Sequence, residues 1–294
     1  MLIIKNNQME IMKKIKTAAV AGAVALSTTA SAQSTNLNER PAYFDQFKSL
    51  DMQRDADGIL VVTMNDGSGG PITFGGTDHT DFTEAFYRIG RDHDNKVVIL
   101  TGAGDYMANI DLNPSMFEMM ANPDIWAMLY DEGVQILENL VNIRVPVIAA
   151  IEGKAHVHTE YALTANLIVA GESATFGDIP HFAGGIVPGD GIYTTWAYRA
   201  GAGRAQKFLL DPTPISAKTA LDWGVVSEIV PDGKSLEKAK EIAKSLLTKP
   251  EVTRRNTRIL FTQPLKEDLV RNTGFGFSLE GASITSLFNS MNKK

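Results

Sequence analysis

The first strongly patterned stretch of the chain is Gly58-Ile59-Leu60-Val61-Val62-Thr63-Met64, followed by the turn-rich Asn65-Asp66-Gly67-Ser68-Gly69-Gly70. An aliphatic, β-branched run closed by Gly, Asn and Asp predicts a strand and then a loop. Beyond Asp78 or Thr80, either able to cap a helix, Phe82, Phe86 and Ile89 recur at helical spacing up to about Asp92, and residues 97–101 predict a buried strand. The unit repeats: Ile125, Leu129, Val134, Ile136, Leu137 and Leu140 predict a helix over 124–141, and residues 145–151 a strand. A third round predicts a helix at 159–166, a strand at 167–170 and a short strand at 174–176. Alternation of this kind predicts an α/β domain whose right-handed crossovers make a mainly parallel sheet. From Thr194 onward the strand pattern fades, and helices are expected at 216–223, 235–247, 251–260 and 265–289 around a brief apolar run at 225–230. Residues 33–50 are polar, with no strong pattern.

The N-terminus changes the picture. Met12-Lys13-Lys14-Ile15-Lys16, the small apolar run from Thr17 to Leu26 and Ala30-Ser31-Ala32 follow the order of a secretory signal. Cleavage is expected after Ala32, which predicts a periplasmic or secreted protein. The apolar run falls short of the ~20 residues that cross a bilayer, so no membrane anchor is expected. The signal carries four lysines and Glu10, so its loss takes the net charge from −6 to −9. An acidic chain without basic clusters does not suit nucleic acid. The chain has no cysteine, which excludes disulfides, thiolate nucleophiles and zinc-cysteine sites.

Common catalytic signatures are missing. There is no Gly-x-Ser-x-Gly elbow, no P-loop, and Gly201-Ala202-Gly203 runs into Arg204 without the third glycine of a dinucleotide fingerprint. His156-Val157-His158 has no second half that would specify a metal, so no metal or cofactor is expected. His156 and His93 read as structural and surface residues.

Three segments, at 97–104, 145–153 (Val145-Pro146-Val147-Ile148-Ala149-Ala150-Ile151-Glu152-Gly153) and 170–177 (Ala170-Gly171-Glu172-Ser173-Ala174-Thr175-Phe176-Gly177), resemble the crotonase, or enoyl-CoA hydratase/isomerase, superfamily in order and spacing. A fourth, at 215–226, resembles the segment where a helix leads through a glycine into a short strand. The resemblance implies a spiral of ββα repeats, with a core over 33–230, a helical C-terminal region over 231–294, and assembly as a homotrimer or dimer of trimers. It also implies an oxyanion hole of two backbone N–H groups, near Ala108 and His158. The second of these stretches departs from the hydratase pattern. Val157-His158-Thr159 replaces a glycine run, Tyr161 is taken as the place of one hydratase glutamate, and Pro180 or His181 stands at the other.

The departures resemble the β-diketone hydrolase branch typified by 6-oxocamphor hydrolase, most closely over residues 174–191 and in the spacings from His158 to His181 and from His181 to Asp190. His79 matches a further active-site histidine of that branch, Glu280 a glutamate on its C-terminal helix, and Phe74 stands near its active-site tryptophan, without an indole N–H. The resemblance implies water-dependent cleavage of a small-molecule, cyclic 1,3-diketone. His181 suits a base that titrates near neutrality, and Asp190 a carboxylate that orients it. Two alternatives stay open: a CoA-thioester crotonase, and a periplasmic binding protein that kept the fold without the chemistry.

Overall fold

The apolar runs read as strands pair side by side. The computed structural model describes residues 40–75, 78–111 and 118–291, so the expected export signal at 1–32 lies outside the described residues. In chain order come β1 (Leu50–Arg54), β2 (Ile59–Met64), β3 (Thr73–Phe74), α1 (Asp78–Arg91), β4 (Val97–Gly102), β5 (Asn109–Ile110) and α2 (Pro123–Asn142). Next are β6 (Val147–Ile151), β7 (Lys154–Ala155), α3 (Thr159–Leu163), β8 (Leu167–Gly171), β9 (Thr175–Phe176), α4 (Ile192–Ala200) and α5 (Ala202–Leu210). The chain ends with β10 (Ile215–Ser216), α6 (Ala217–Asp222), β11 (Glu228–Val230), α7 (Ser235–Leu247) and α8 (Glu251–Met291).

The main sheet has the order β1-β2-β4-β6-β8-β11, and every pairing is parallel except β1 with β2. Its central strands are aliphatic throughout because both faces are covered. Leu60, Val62, Val98 and Leu100 face a large core with α1 and α2, while Ile59, Val97, Ile99 and Ile148 face Ala239 and Ala243 of α7. A smaller sheet, β10-β9-β7, and the pair β3-β5 lie outside this layer, as the repeated short strands of a ββα spiral require.

Three elements differ from expectation. β1 was hidden in a polar stretch, yet it alternates, with Leu50 and Met52 buried and Asp51 and Gln53 exposed, as suits a sheet edge. The pair α4 and α5 was not expected. The two expected C-terminal helices are one, α8, with Pro264 inside it. Proline deprives the Leu260 carbonyl of its helical donor, but Leu260 and Pro264 are both exposed, so water can serve that oxygen. Arg258, fully buried, ties α8 to the end of α2 by donating to the carbonyls of Leu140 (3.1 Å), Ile143 (3.2 Å) and Thr164 (2.8 Å). That clamp fixes the first half of α8 beside α2, against which its distal half also packs at Gly133 and Phe277.

Candidate active site

Five ionisable side chains meet where α1, α3, α8 and the loop between β9 and α4 converge. His79 comes from the first turn of α1, His158 from the residue before α3, His181 and Asp190 from the β9–α4 loop, and Glu280 from α8. All five line one small cavity of about 70 Å³, closed by the apolar Leu129, Phe277 and Ile284. The sequence placed these residues across some 200 positions; the fold brings them to one point.

Asp190 is the centre. Its Oδ1 accepts from the Ile192 N–H (3.1 Å), at the start of α4. Its Oδ2 lies 3.3 Å from His158 Nδ1 and 3.4 Å from His181 Nε2, at ion-pair distance from both rings. The carboxylate that fixes the His181 ring is a different one: Asp178 Oδ1 stands 2.7 Å from His181 Nδ1. Asp178 had not been singled out, although its place three residues before His181 was a readable signal. Glu280 Oε1 is 3.9 Å from His181 Nε2.

The stretch around α3 adds a group that sequence reasoning missed. The Tyr161 ring stacks on His158, with centroids 4.9 Å apart and planes at 1°. One residue earlier, Glu160, fully buried, has Oε1 2.6 Å from His158 Nδ1. Phe74 is buried with its ring 4.2 Å from that of His158 and 5.0 Å from that of His79, so it backs the imidazoles without lining the cavity.

His158 adopts φ 45 and ψ 44, the only positive φ of a non-glycine residue among those described. This left-handed conformation stands where the family resemblance implied a glycine run, and a residue with a side chain adopts it only at the cost of local strain. The Met107 carbonyl accepts from the N–H groups of both His156 (2.9 Å) and Val157 (3.2 Å), which lashes the two expected oxyanion-hole stretches together. The next N–H groups, of Ala108 and His158, have no acceptor among the described residues. His156 bonds Thr175 Oγ1 (2.9 Å) and so is structural.

Burial and mutual proximity shift the titrations of the five residues that line the cavity. Burial works against a charge on His158, but Glu160 and Asp190 outweigh it and raise the ring to about 9. His181 is likewise held well above the ordinary imidazole range: desolvation is overcome by Asp190 and Asp178. Asp190 is lowered to about 2, its burial outweighed by the two rings, His181 foremost. Burial raises Glu280 to about 8 despite His181. His79 is lowered to about 3 by burial and by the neighbouring His158. At neutral pH the cavity therefore holds two imidazolium groups, an anionic Asp190 and a protonated Glu280.

Two groups have donor atoms close enough to surround a cation: His158, Glu160 and Asp190, and His181, Asp190 and Glu280. In the first, Glu160 Oε1 and His158 Nδ1 are 2.6 Å apart, at hydrogen-bond distance from each other. In the second, His181 Nε2 lies 3.4 Å from Asp190 and 3.9 Å from Glu280.

A twisted parallel sheet flanked by short paired strands, with a helical C-terminus laid over a buried polar cavity, defines an enzyme of the crotonase class. Residues 54–284 match the enoyl-CoA hydratase/isomerase family, and the chain belongs to it. A probable peroxisomal enoyl-CoA hydratase of Arabidopsis thaliana is 28% identical over 250 residues, covering 83% of this chain and 89% of that protein. A solved β-diketone hydrolase from the cyanobacterium Anabaena sp. PCC 7120, bound to (S)-3-oxocyclohexyl acetic acid, is 42% identical with a TM-score of 0.81, covering 85% of this chain and 99% of that one. An enoyl-CoA hydratase/isomerase from Mycobacterium paratuberculosis shares the fold at 23% identity and a TM-score of 0.73, with 81% of this chain and 94% of that one covered.

Proposed function

We propose that the protein hydrolyses a carbon–carbon bond of a cyclic 1,3-diketone, without metal or CoA. The observation that carries this reading is Asp190 set between the His158 and His181 rings, with the buried Glu280 carboxyl 3.9 Å from His181 Nε2 on the same cavity. The likeness to the Anabaena β-diketone hydrolase supports it.

The chemistry divides among these groups. Water attacks one carbonyl carbon, forming the C–O bond, and its proton passes to the fraction of His181 that is neutral, whose ring Asp178 and Asp190 flank. The oxyanion is met by the Ala108 and His158 N–H groups, donors of a kind often worth a few kcal/mol each. Collapse of the tetrahedral intermediate breaks the bond to the carbon between the carbonyls, and the electron pair becomes an enolate whose oxygen takes a hydrogen bond from His158 Nε2. Glu280 gives that carbon a proton and regains one from His181, 3.9 Å away. A carboxylic acid and a ketone result, in one molecule if the diketone is cyclic. The cavity, well below the few hundred cubic ångströms of most ligand sites, favours a compact substrate.

The test offers the purified protein a panel of cyclic 1,3-diketones beside crotonyl-CoA, and follows loss of the enolised-diketone absorbance. Diketone consumption that is indifferent to chelator is expected. Turnover of crotonyl-CoA alone would replace this reading with a CoA-thioester crotonase, and neither activity would leave a binding protein.

A further inference from the structure

We propose that Glu160 is a positioning residue that locks His158 with both ring nitrogens protonated, so that Nε2–H is presented to the developing enolate oxygen. The inference rests on the diketone reading for its chemistry, but its geometry is independent of any substrate.

Glu160 is fully buried and lies outside the cavity wall, whereas His158 lines it. It can therefore reach a substrate only through His158. Its Oε1 takes the Nδ1 contact at 2.6 Å, shorter than the 3.3 Å from Nδ1 to Asp190. A carboxylate at Nδ1 demands the proton there, and leaves Nε2 as the ring atom facing the cavity. Nε2 is buried and has no partner among the described residues, as a donor reserved for substrate would be. The arrangement also frees Asp190 to act on His181.

His158 is a residue in a strained left-handed conformation, and its ring is held on three sides: by Glu160 along one edge, by Tyr161 on a face and by Phe74. The charged or titratable groups that face it are Glu160 and Tyr161 from α3, His79 from α1, Asp190 from the loop and Glu280 from α8. Of these, Asp190 is an anion at neutral pH, and Glu160, raised to about 7 by burial and by Asp190, becomes one as pH passes that value; both favour the His158 charge, Glu160 most.

The decisive experiment is the NMR titration of ¹⁵N-labelled histidines in the resting wild-type protein and in Glu160→Gln. The isosteric amide can accept the Nδ1 hydrogen bond but brings no charge. The His158 midpoint, about 9 in the wild type, should fall by at least about one unit, a shift that a merely structural glutamate would not produce. With diketone, kcat should fall about tenfold to a hundredfold, with KM nearly unchanged, because the donor acts in the transition state. Adding His158→Gln to Glu160→Gln should cost little more than His158→Gln alone. An unmoved His158 midpoint, or full kcat in Glu160→Gln, would overturn the proposal. Failure of the wild type on every diketone would overturn the function and leave the NMR result standing.

Discussion

His181 carries carboxylates on both ring nitrogens, Asp178 at 2.7 Å and Asp190 at 3.4 Å, so it enters the reaction from the protonated side. The neutral, proton-accepting form accumulates only as pH climbs above the ordinary 6.5. Glu280, by contrast, must keep its proton and loses it near 8. The kcat/KM profile should therefore be a bell on the alkaline side of neutrality, and the Glu280→Gln variant, slower overall, should lose the alkaline limb. Because the charges of His181 and Asp190 are shared, the acid limb belongs to the pair and not to one residue. His181→Ala should cost about 10²-fold or more in kcat. Asp178→Asn should also be severe, since an amide at Nδ1 can favour the wrong tautomer. A mild Asp178→Asn variant, with circular dichroism confirming the fold, would remove Asp178 as the orienting group. The titration of His79, which also lines the cavity, bears on stability. Its ring is lowered to about 3 from 6.5, so as pH falls through that window the unfolded chain takes up a proton that the folded chain refuses, and stability is lost. Thermal melts from pH 7 to 4 should decline less steeply for His79→Phe than for the wild type.

At the scale of elements, the site depends on how closely α2 and α8 approach. Gly133 of α2 lies against the Phe277 ring of α8; a Cβ there would come within 2.1 Å of the ring. Alanine for glycine in a helix normally stabilises by up to ~1 kcal/mol, whereas overpacking costs ~1–3 kcal/mol. The ring is flanked by Trp126 and Tyr130 at 6.1 and 5.9 Å and has little room to retreat, so the steric effect should win. Gly133→Ala is expected to lower the urea midpoint and, because Phe277 lines the cavity, also kcat; a raised midpoint would show that the helices slide apart freely. The same scale shows where element prediction held and where it did not. The fully apolar strands and the amphipathic α1, α2 and α7 were legible because one local pattern dictates each of them. β1 was not, because an edge strand with only Leu50 and Met52 inward resembles a polar loop. The break expected between residues 260 and 265 was absent, because tertiary packing of Arg258, Leu265 and Leu269 keeps the helix continuous through Pro264, a position that local propensity disfavours.

For the whole molecule, we propose an exported homotrimer or dimer of trimers. The signal-like sequence from Lys13 to Ala32 motivates the first part, and intact-mass analysis of periplasmic protein should find a chain beginning at Gln33. Large apolar side chains on α8, with Leu260 and Phe275 each 69% exposed and Phe261 60% exposed, motivate the second, since such side chains call for cover. Light scattering should give a multiple of three; a monomer would end that proposal. Among the described residues no helix is long and apolar enough to cross a membrane. The sequence by itself determined the α/β alternation, the family resemblance and which histidines and carboxylates were worth following, because each is written in local spacing or in gap-free motifs. Only the tertiary structure decided which carboxylate serves which ring. Asp178, Glu160, Asp190 and Glu280 are equivalent as letters, and their roles follow from distances of 2.6 to 3.9 Å. Those distances follow from the turn at His158, the β9–α4 loop and the placing of α8 against α2. In a buried cavity, a difference of that size bears on where each proton resides.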